Sequence, residues 1–467
     1  MSKDLALLSA TELVHHFRRR TLSPVEVTCA VLERIEAQNP ALNAFCHLDP
    51  EGALGAARES EARWRRGESK GLVDGVPTTI KDTYLAKGWP TRRGSRTTPA
   101  DGPWDEDAPA TARLREHGAV LLGKTTTPEF GWKAVTDSPL TGITRNPWDP
   151  ARTPGGSSGG AAAAAAAGMG ALHLGGDGAG SIRIPAAFAG VYGLKPSFGR
   201  VPIYPQPVPG TITHPGPLTR TVTDAALMLT VIGRPDPRDW QTLPDDPRDW
   251  RIGLEAGVEG LRIAYSRTLG YAEVDPAVLA CVEGAVEVLS DQGATVEAVD
   301  PGFASPRAAF DIYYFTRFTF MVERMSHEQR ALLDPGLLEM AEAGRRFTVD
   351  DLMVAEMARA ELGRCMSRFH ETYDLLVTPQ MPLVAFAAGV DYPADAGMHH
   401  WLDWSPFTYP FNFTQQPAAS APCGLAHGLP VALQIVGPRH REDLVLRASR
   451  ALEAAQPFAL PPEPEPA

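Results

Sequence analysis

The sequence predicts an α/β fold, and three features of its pattern point there. The first 67 residues read as helices. Short apolar runs bounded by Gly and Pro then alternate with a helical segment, and the same alternation returns from Leu261 onward. Taken in order, Ser9 precedes ATELVHHFRRR with Glu12 three residues on, a capping-box pattern that starts a helix. Ser23-Pro24 starts a second helix, PVEVTCAVLERIEAQN, whose end is marked by Asn39-Pro40. Residues 53–67 read as a third, rich in Ala and Arg.

After Gly71, VPTTIKD (Val76–Asp82) and AVLLGKT (Ala119–Thr125) read as buried strands, with TARLREHG (Thr111–Gly118) as the helix between segments. VTDAALMLTVIG is a helix from Val222. The polar segment Arg234–Trp250, which contains DPRDW twice, reads as a surface loop too short to be a repeat architecture. LRIAYS (Leu261–Ser266) resumes as a strand, Asp275–Gln292 as a helix, and ATVEAVD follows. Ala309–Met325 is rich in aromatics, a pattern that core packing explains and to which pocket lining could also contribute.

Charge and cysteine usage narrow the function classes. A formal net charge of −12 argues against an extended nucleic-acid footprint. Cys29, Cys46, Cys281, Cys365 and Cys423 are scattered, with no CxxC pair and no His cluster at ligand spacing. They read as free thiols in a reducing compartment, with no metal site expected. The N-terminus lacks the apolar core and small-residue cleavage site of a signal peptide, and the Ala/Gly stretch Gly159–Gly176 is too weakly apolar to span a bilayer. The expectation is a soluble cytoplasmic protein without nucleic-acid or membrane partners.

The chemistry lies between Pro154 and Pro196. In TPGGSSGGAAAAAAAG (Thr153–Gly168) a permissive backbone runs straight into a strong helix former. Glycines ahead of a helix let backbone N–H groups converge on an anion. GGDGAGS (Gly175–Ser181) places a second serine at the end of a Gly-rich turn. Acyl transfer needs a nucleophile, a base and N–H donors aimed at the developing oxyanion, and two serine-bearing Gly loops supply all but the base. GGSSGG alone reads as a flexible linker, but its flanks are apolar and helix-forming. Gly176, Gly178 and Gly180 have the spacing of a dinucleotide loop. However, the acidic residue expected about 20 positions later is replaced by Phe198-Gly199-Arg200, so no cofactor is expected.

GVPTTIKD, PGGSSGG, GGDGAGSIRIPAAFAGVYGLKPSFGRVP and GLPVALQIVGP together resemble the amidase-signature family across nearly the whole chain. The resemblance implies one large unit over residues 1–467: a central twisted mixed sheet covered by helices on both faces. Its signature core spans about 71–200, with the surface loop at 234–250 and a disordered tail at 461–467. It also implies a Ser–cis-Ser–Lys triad, which falls here on Ser181 as nucleophile, Ser157 as the bridging serine with a cis peptide bond, and Lys81 as base. Backbone N–H groups of Gly178, Ala179, Gly180 and Ser181 would form the oxyanion hole, with Ser158, Asp177 and Arg183 supporting the loops. Read singly, Lys81 is a surface lysine or an ion-pair partner of Asp82. Burial at the end of a core strand would instead favour the neutral amine that a base requires. Ala179 stands where the family usually has glycine, and a positive φ there would be costly.

The leading expectation is a hydrolase of carbon–nitrogen bonds other than peptide bonds, acting without metal on a small amide; esters and urethanes use the same machinery. Pocket walls are expected from Trp89–Pro103, Trp132, the Tyr313–Phe320 aromatics and Met398–Phe413, the last favouring an apolar or aryl substrate. The glutaminase subunit of a tRNA-dependent amidotransferase has the same triad and stays open, as does a non-catalytic binding protein on the fold. Homodimerisation is also left open.

Overall fold

The structure, a computed structural model, describes residues 4–462. Its strands are β1 (Phe45–Leu48), β2 (Pro77–Lys81), β3 (Val120–Thr125), β4 (Asp137–Ser138), β5 (Gly142–Ile143), β6 (Leu172–Asp177) and β7 (Tyr192–Lys195). They continue as β8 (His214–Thr219), β9 (Arg262–Tyr265), β10 (Thr295–Ala298), β11 (Leu375–Pro379), β12 (Ala418–Ala426) and β13 (Leu429–Val436). Strands β4 and β5 pair only with each other; the rest form an 11-stranded sheet in the order β1-β3-β2-β6-β8-β7-β12-β13-β11-β9-β10. The sheet is mixed. Strand β2 runs parallel to β3 and β6, and β9 runs parallel to β10 and β11. Antiparallel pairs join these two parallel groups through the centre.

Both faces of this sheet are buried. Along β13, Val431, Leu433 and Ile435 enter one apolar cluster, while Ala432 and Val436 enter others. Along β11, Leu375 and Val377 separate from Leu376 in the same way. Alternate residues point to opposite faces, so a strand apolar at every position needs cover on both sides. Helices supply it, and the α/β expectation holds. No helix among the described residues is long and apolar enough to cross a membrane.

Most elements start where their caps predict. Ser9 and Ser23 each close a capping box, Thr221 caps Val222–Ile232, and Asp275 caps Pro276–Asp291. Three helices differ at their ends, and the one expected over Thr111–Gly118 runs from Pro109 to Glu116, starting on a proline that suits a first helical position. The second helix runs through Pro40 to Leu42, because the proline lies in its last turn and removes a single donor. Asn39 Oδ1 then accepts the N–H groups of Ala44 and Phe45 just beyond the helix. The third helix begins at Pro50, where Asp49 accepts the N–H of Gly52 at 2.9 Å.

Residues 234–250 have no helix or strand, as expected of a loop, but the segment is tied down. Asp236, Asp239 and Trp250 are buried, and Asp239 accepts the N–H of Ile203 at 3.0 Å. All five cysteines are free thiols. The expected disordered tail falls outside the described residues from 463 onward.

The alanine run becomes the helix Gly159–Ala166, buried along its whole length. Its first turn is pressed against neighbouring backbone: a Cβ on Gly160 would lie 2.3 Å from Thr126 Oγ1 and 2.5 Å from the Ala44 carbonyl. Helix propensity alone would make alanine better there by about 0.5–1 kcal/mol. Overpacking against backbone costs more, so Gly160→Ala is expected to lower stability by about 1–3 kcal/mol. The urea unfolding midpoint reads the sign directly.

Candidate active site

Lys81 and Asp177 end the adjacent parallel strands β2 and β6, so both sit at the carboxyl edge of that part of the sheet. In open α/β sheets this edge is where ligands bind. The two serine loops arrive at the same place. Ser157 and Ser158 immediately precede the buried alanine helix, and Ser181 follows β6 by a four-residue turn. The Ser158 N–H donates to the Ser181 carbonyl at 3.1 Å, joining one loop to the other. Thr136 fixes the first loop from below, donating to the Gly155 carbonyl at 2.9 Å and accepting the Gly159 N–H at 3.1 Å. The Gly156–Ser157 peptide bond is cis.

The lysine is buried, 2% exposed. Its Nζ donates to Ser157 Oγ at 2.7 Å, to Ser158 Oγ at 2.9 Å and to the Gly176 carbonyl at 3.4 Å. Asp82 is not its ion-pair partner: that carboxylate accepts the N–H groups of Arg92 and Gly94 and lies 3.5 Å from Lys124 Nζ. Burial lowers the Lys81 pKa to about 7, only partly opposed by the negative charge of Asp177. Near neutrality the amine is therefore free to accept a proton.

The two serines of the first loop are not equivalent. Ser158 Oγ donates to the Gly176 carbonyl at 3.1 Å and accepts the Gly176 N–H at 3.2 Å as well as Lys81, so its hydrogen-bonding capacity is filled. Among the described residues Ser157 Oγ accepts from Lys81 alone, and its own proton remains available. Ser158 thus holds the lysine and the β6 backbone together.

Asp177 anchors the second loop. It accepts the N–H groups of Gly180, Ile182 and Arg183 and forms a two-pronged pair with the Arg183 guanidinium at 2.9 and 3.0 Å. Burial pushes this carboxyl up, but the charge and hydrogen bonds of Arg183, with Lys195 and Asn412, outweigh it and hold Asp177 well below the usual carboxylate range. Arg183 is completed by Gln434 at 2.7 Å, Asn412 at 2.6 Å and the Thr408 carbonyl at 3.1 Å. The pair is support for the turn and lies away from the open pocket.

This arrangement corrects one expectation about the turn. The Gly180 N–H is already donated to Asp177 at 2.7 Å, so it cannot also serve an oxyanion. Among the described residues no protein acceptor takes the N–H groups of Gly178, Ala179 or Ser181. The positive φ falls on Gly180, at 120°, and not on Ala179, whose methyl packs in an apolar cluster while its carbonyl accepts from Thr408 Oγ1 at 2.6 Å. Alanine is therefore unstrained at 179.

Lys81, Ser157, Gly178 and Ser181 open into one cavity of about 390 Å³, within the size range of small-molecule sites. Its walls differ from those expected. Tyr84, Phe130, Tyr314 and Met321 line it, together with the whole segment Ile203–Pro209. From the expected walls only Arg93 and Tyr314 remain. Trp132 and the aromatics of Met398–Phe413 are core instead: Trp404 stacks on Phe188 and meets Phe386 edge-on, and Trp401 meets Tyr314. The Ile203–Pro209 wall escaped the sequence reading because IYPQPVP has neither periodicity nor a chemical motif; only its proline spacing hints at a rigid extended strip. Among the described residues no group of three or more His, Cys, Asp or Glu side chains converges as a metal site would require.

Comparison with known proteins gives the family. A family model described as Amidase matches residues 26–446. The chain belongs to the amidase-signature family. This amidase is 37% identical over 468 residues to an acylamidase of Rhodococcus erythropolis, covering 98% of this chain and 97% of that one. It is 36% identical over 494 residues to a subunit of the glutamyl-tRNA(Gln) amidotransferase of Salinispora tropica, covering 98% and 99%. The crystal structure of a bacterial aryl acylamidase of the amidase-signature enzymes superposes with a TM-score of 0.90 at 32% identity, covering 96% of each chain. The amidase is accordingly an amide-cleaving hydrolase.

Proposed function

We propose that this amidase is a serine amidohydrolase that works through an acyl-enzyme on Ser181. The observation that carries the reading is the buried Lys81 amine, its pKa lowered to about 7, held 2.7 Å from Ser157 Oγ in the cavity that also receives Ser181. Ser181 Oγ attacks the amide carbonyl and passes its proton to Ser157, whose own proton moves to Lys81 Nζ. The carbonyl oxygen becomes an oxyanion facing the free N–H groups of Gly178, Ala179 and Ser181. Collapse breaks the C–N bond as the proton returns through Ser157 to the leaving amine. Water then repeats the sequence on the acyl-enzyme, releasing the acid and restoring Ser181.

The apolar, aromatic cavity walls (Tyr84, Phe130, Tyr204 and Tyr314) and the likeness to acylamidases favour a small aryl or apolar amide, with esters and urethanes within reach of the same steps. The likeness to an amidotransferase chain supports a second reading, a glutaminase that hands ammonia to a partner. Purified alone, without ATP or tRNA, the chain is expected to release aniline from simple anilides faster than ammonia from glutamine. The reverse order would favour the second reading.

A further inference from the structure

The cavity holds a cation without a counterion. Arg93, partly buried, lines the same space as Lys81, Ser157 and Ser181. Its guanidinium has no hydrogen bond, ion pair or ring contact with any described residue. Its backbone is fixed: the N–H donates to the Asp82 carbonyl at 3.1 Å, the carbonyl accepts the Phe130 N–H at 2.8 Å, and φ is 54°, a conformation that disfavours a side chain. The acid whose charge reaches it, Asp82, is held by the N–H groups of Arg92 and Gly94 and sits beside Lys124. The residues lining the cavity include Lys81 and Arg93 but not one carboxylate, although the chain as a whole carries a net charge of −12. Burial lowers the Arg93 pKa, and the charge of Asp82 only partly opposes it.

We propose that Arg93 is a specificity-determining residue that binds a carboxylate on the substrate, so that the preferred substrates are amides with an apolar body and an anionic end. A guanidinium matches a carboxylate with two parallel hydrogen bonds, and the surrounding aromatic and methionine walls fit the body between the anionic end and the scissile bond. This deepens the serine-hydrolase reading and rests on it.

Two substrate pairs test it, with aromatic amine release as the readout. 4-Acetamidobenzoate against 4-acetamidobenzamide puts the charge on the leaving amine; succinanilic acid against its terminal amide puts it on the acyl side. In at least one pair the carboxylate is expected to have kcat/KM at least about tenfold higher. Arg93→Gln should bring that ratio close to one, and Arg93→Lys should retain part of it. A ratio of one or less in both pairs, or a ratio untouched by Arg93→Gln, overturns the proposal while Ser181-dependent turnover leaves the serine reading standing. If turnover survives Ser181→Ala the serine reading fails, and if neither pair is turned over the aryl-amide reading fails. The Arg93 proposal is then decided by binding: benzoate should bind wild type at least about tenfold more tightly than benzamide, and equal binding overturns it. The same binding pair decides the matter if the Arg93 variants do not fold.

Discussion

Ser181→Ala is expected to reduce kcat/KM on a simple anilide by about 10⁴- to 10⁶-fold, the scale of loss when a covalent nucleophile is removed from an intact site. The fold should not notice. Ser181 Oγ makes no hydrogen bond to a described residue, and the turn around it is held by Asp177, Arg183 and the Ser158–Ser181 backbone bond. The unfolding free energy read from urea titration should therefore stay within about 0.5 kcal/mol of wild type. Loss of activity together with loss of stability would mean the residue acts by holding the turn, and turnover retained in the variant would place the nucleophile elsewhere.

Lys81→Met is expected to inactivate the enzyme to a similar degree and, at neutral pH, to stabilise it. Burial lowers the amine from an ordinary 10.5 to about 7, so the folded protein disfavours a proton that the unfolded chain keeps. The sign follows from proton counts. Between about pH 7 and 10.5 the unfolded state binds more protons, so this group's contribution to stability rises with pH across that window, and its full penalty is present below about pH 7. The shift corresponds to a penalty on the order of 5 kcal/mol, partly offset in the variant by the hydrogen bonds lost to Ser157 and Ser158. A net gain of about 1–3 kcal/mol is expected, a trade of stability against activity. The same lysine sets the pH profile. For a substrate that does not ionise, wild-type kcat/KM should fall tenfold per pH unit below about 7 and level off above it. A urea midpoint lowered in Lys81→Met, or a flat wild-type profile from pH 5 to 9, would contradict a buried neutral base.

The site was far more legible than its walls. Ser157 and Ser181 stand out by glycine and serine spacing, and around Ser157 the backbone must approach closely, Gly160 against Thr126 and Ala44 and Gly156 against Val135, whereas Lys81 was legible only through the resemblance of GVPTTIKD to the family. The helices were legible from their caps, since a cap is a local hydrogen bond that needs no tertiary partner. Hydrogen-bond competition was not legible. Gly180 belongs to the same glycine-rich turn as Gly178, yet Asp177 takes one N–H and leaves the other. Nor was the destination of aromatic residues. MHHWLDWSPFTYPF could have faced substrate or core on sequence grounds, and long-range packing against Phe188, Phe310 and Phe386 sent it to the core. Arg93 lay inside an expected wall, but its lack of a counterion is visible only once every neighbouring carboxylate has been placed.

The most direct test of the nucleophile is covalent capture. Wild type incubated with an alkyl fluorophosphonate should gain the mass of one adduct, mapped by peptide mass spectrometry to Ser181, with a labelling rate that rises through about pH 7 as Lys81 loses its proton. Ser181→Ala should take up none, and Lys81→Met should label at least about a hundredfold more slowly. An adduct on any other residue, or active enzyme that takes up no label, would contradict the assignment of Ser181 as the nucleophile.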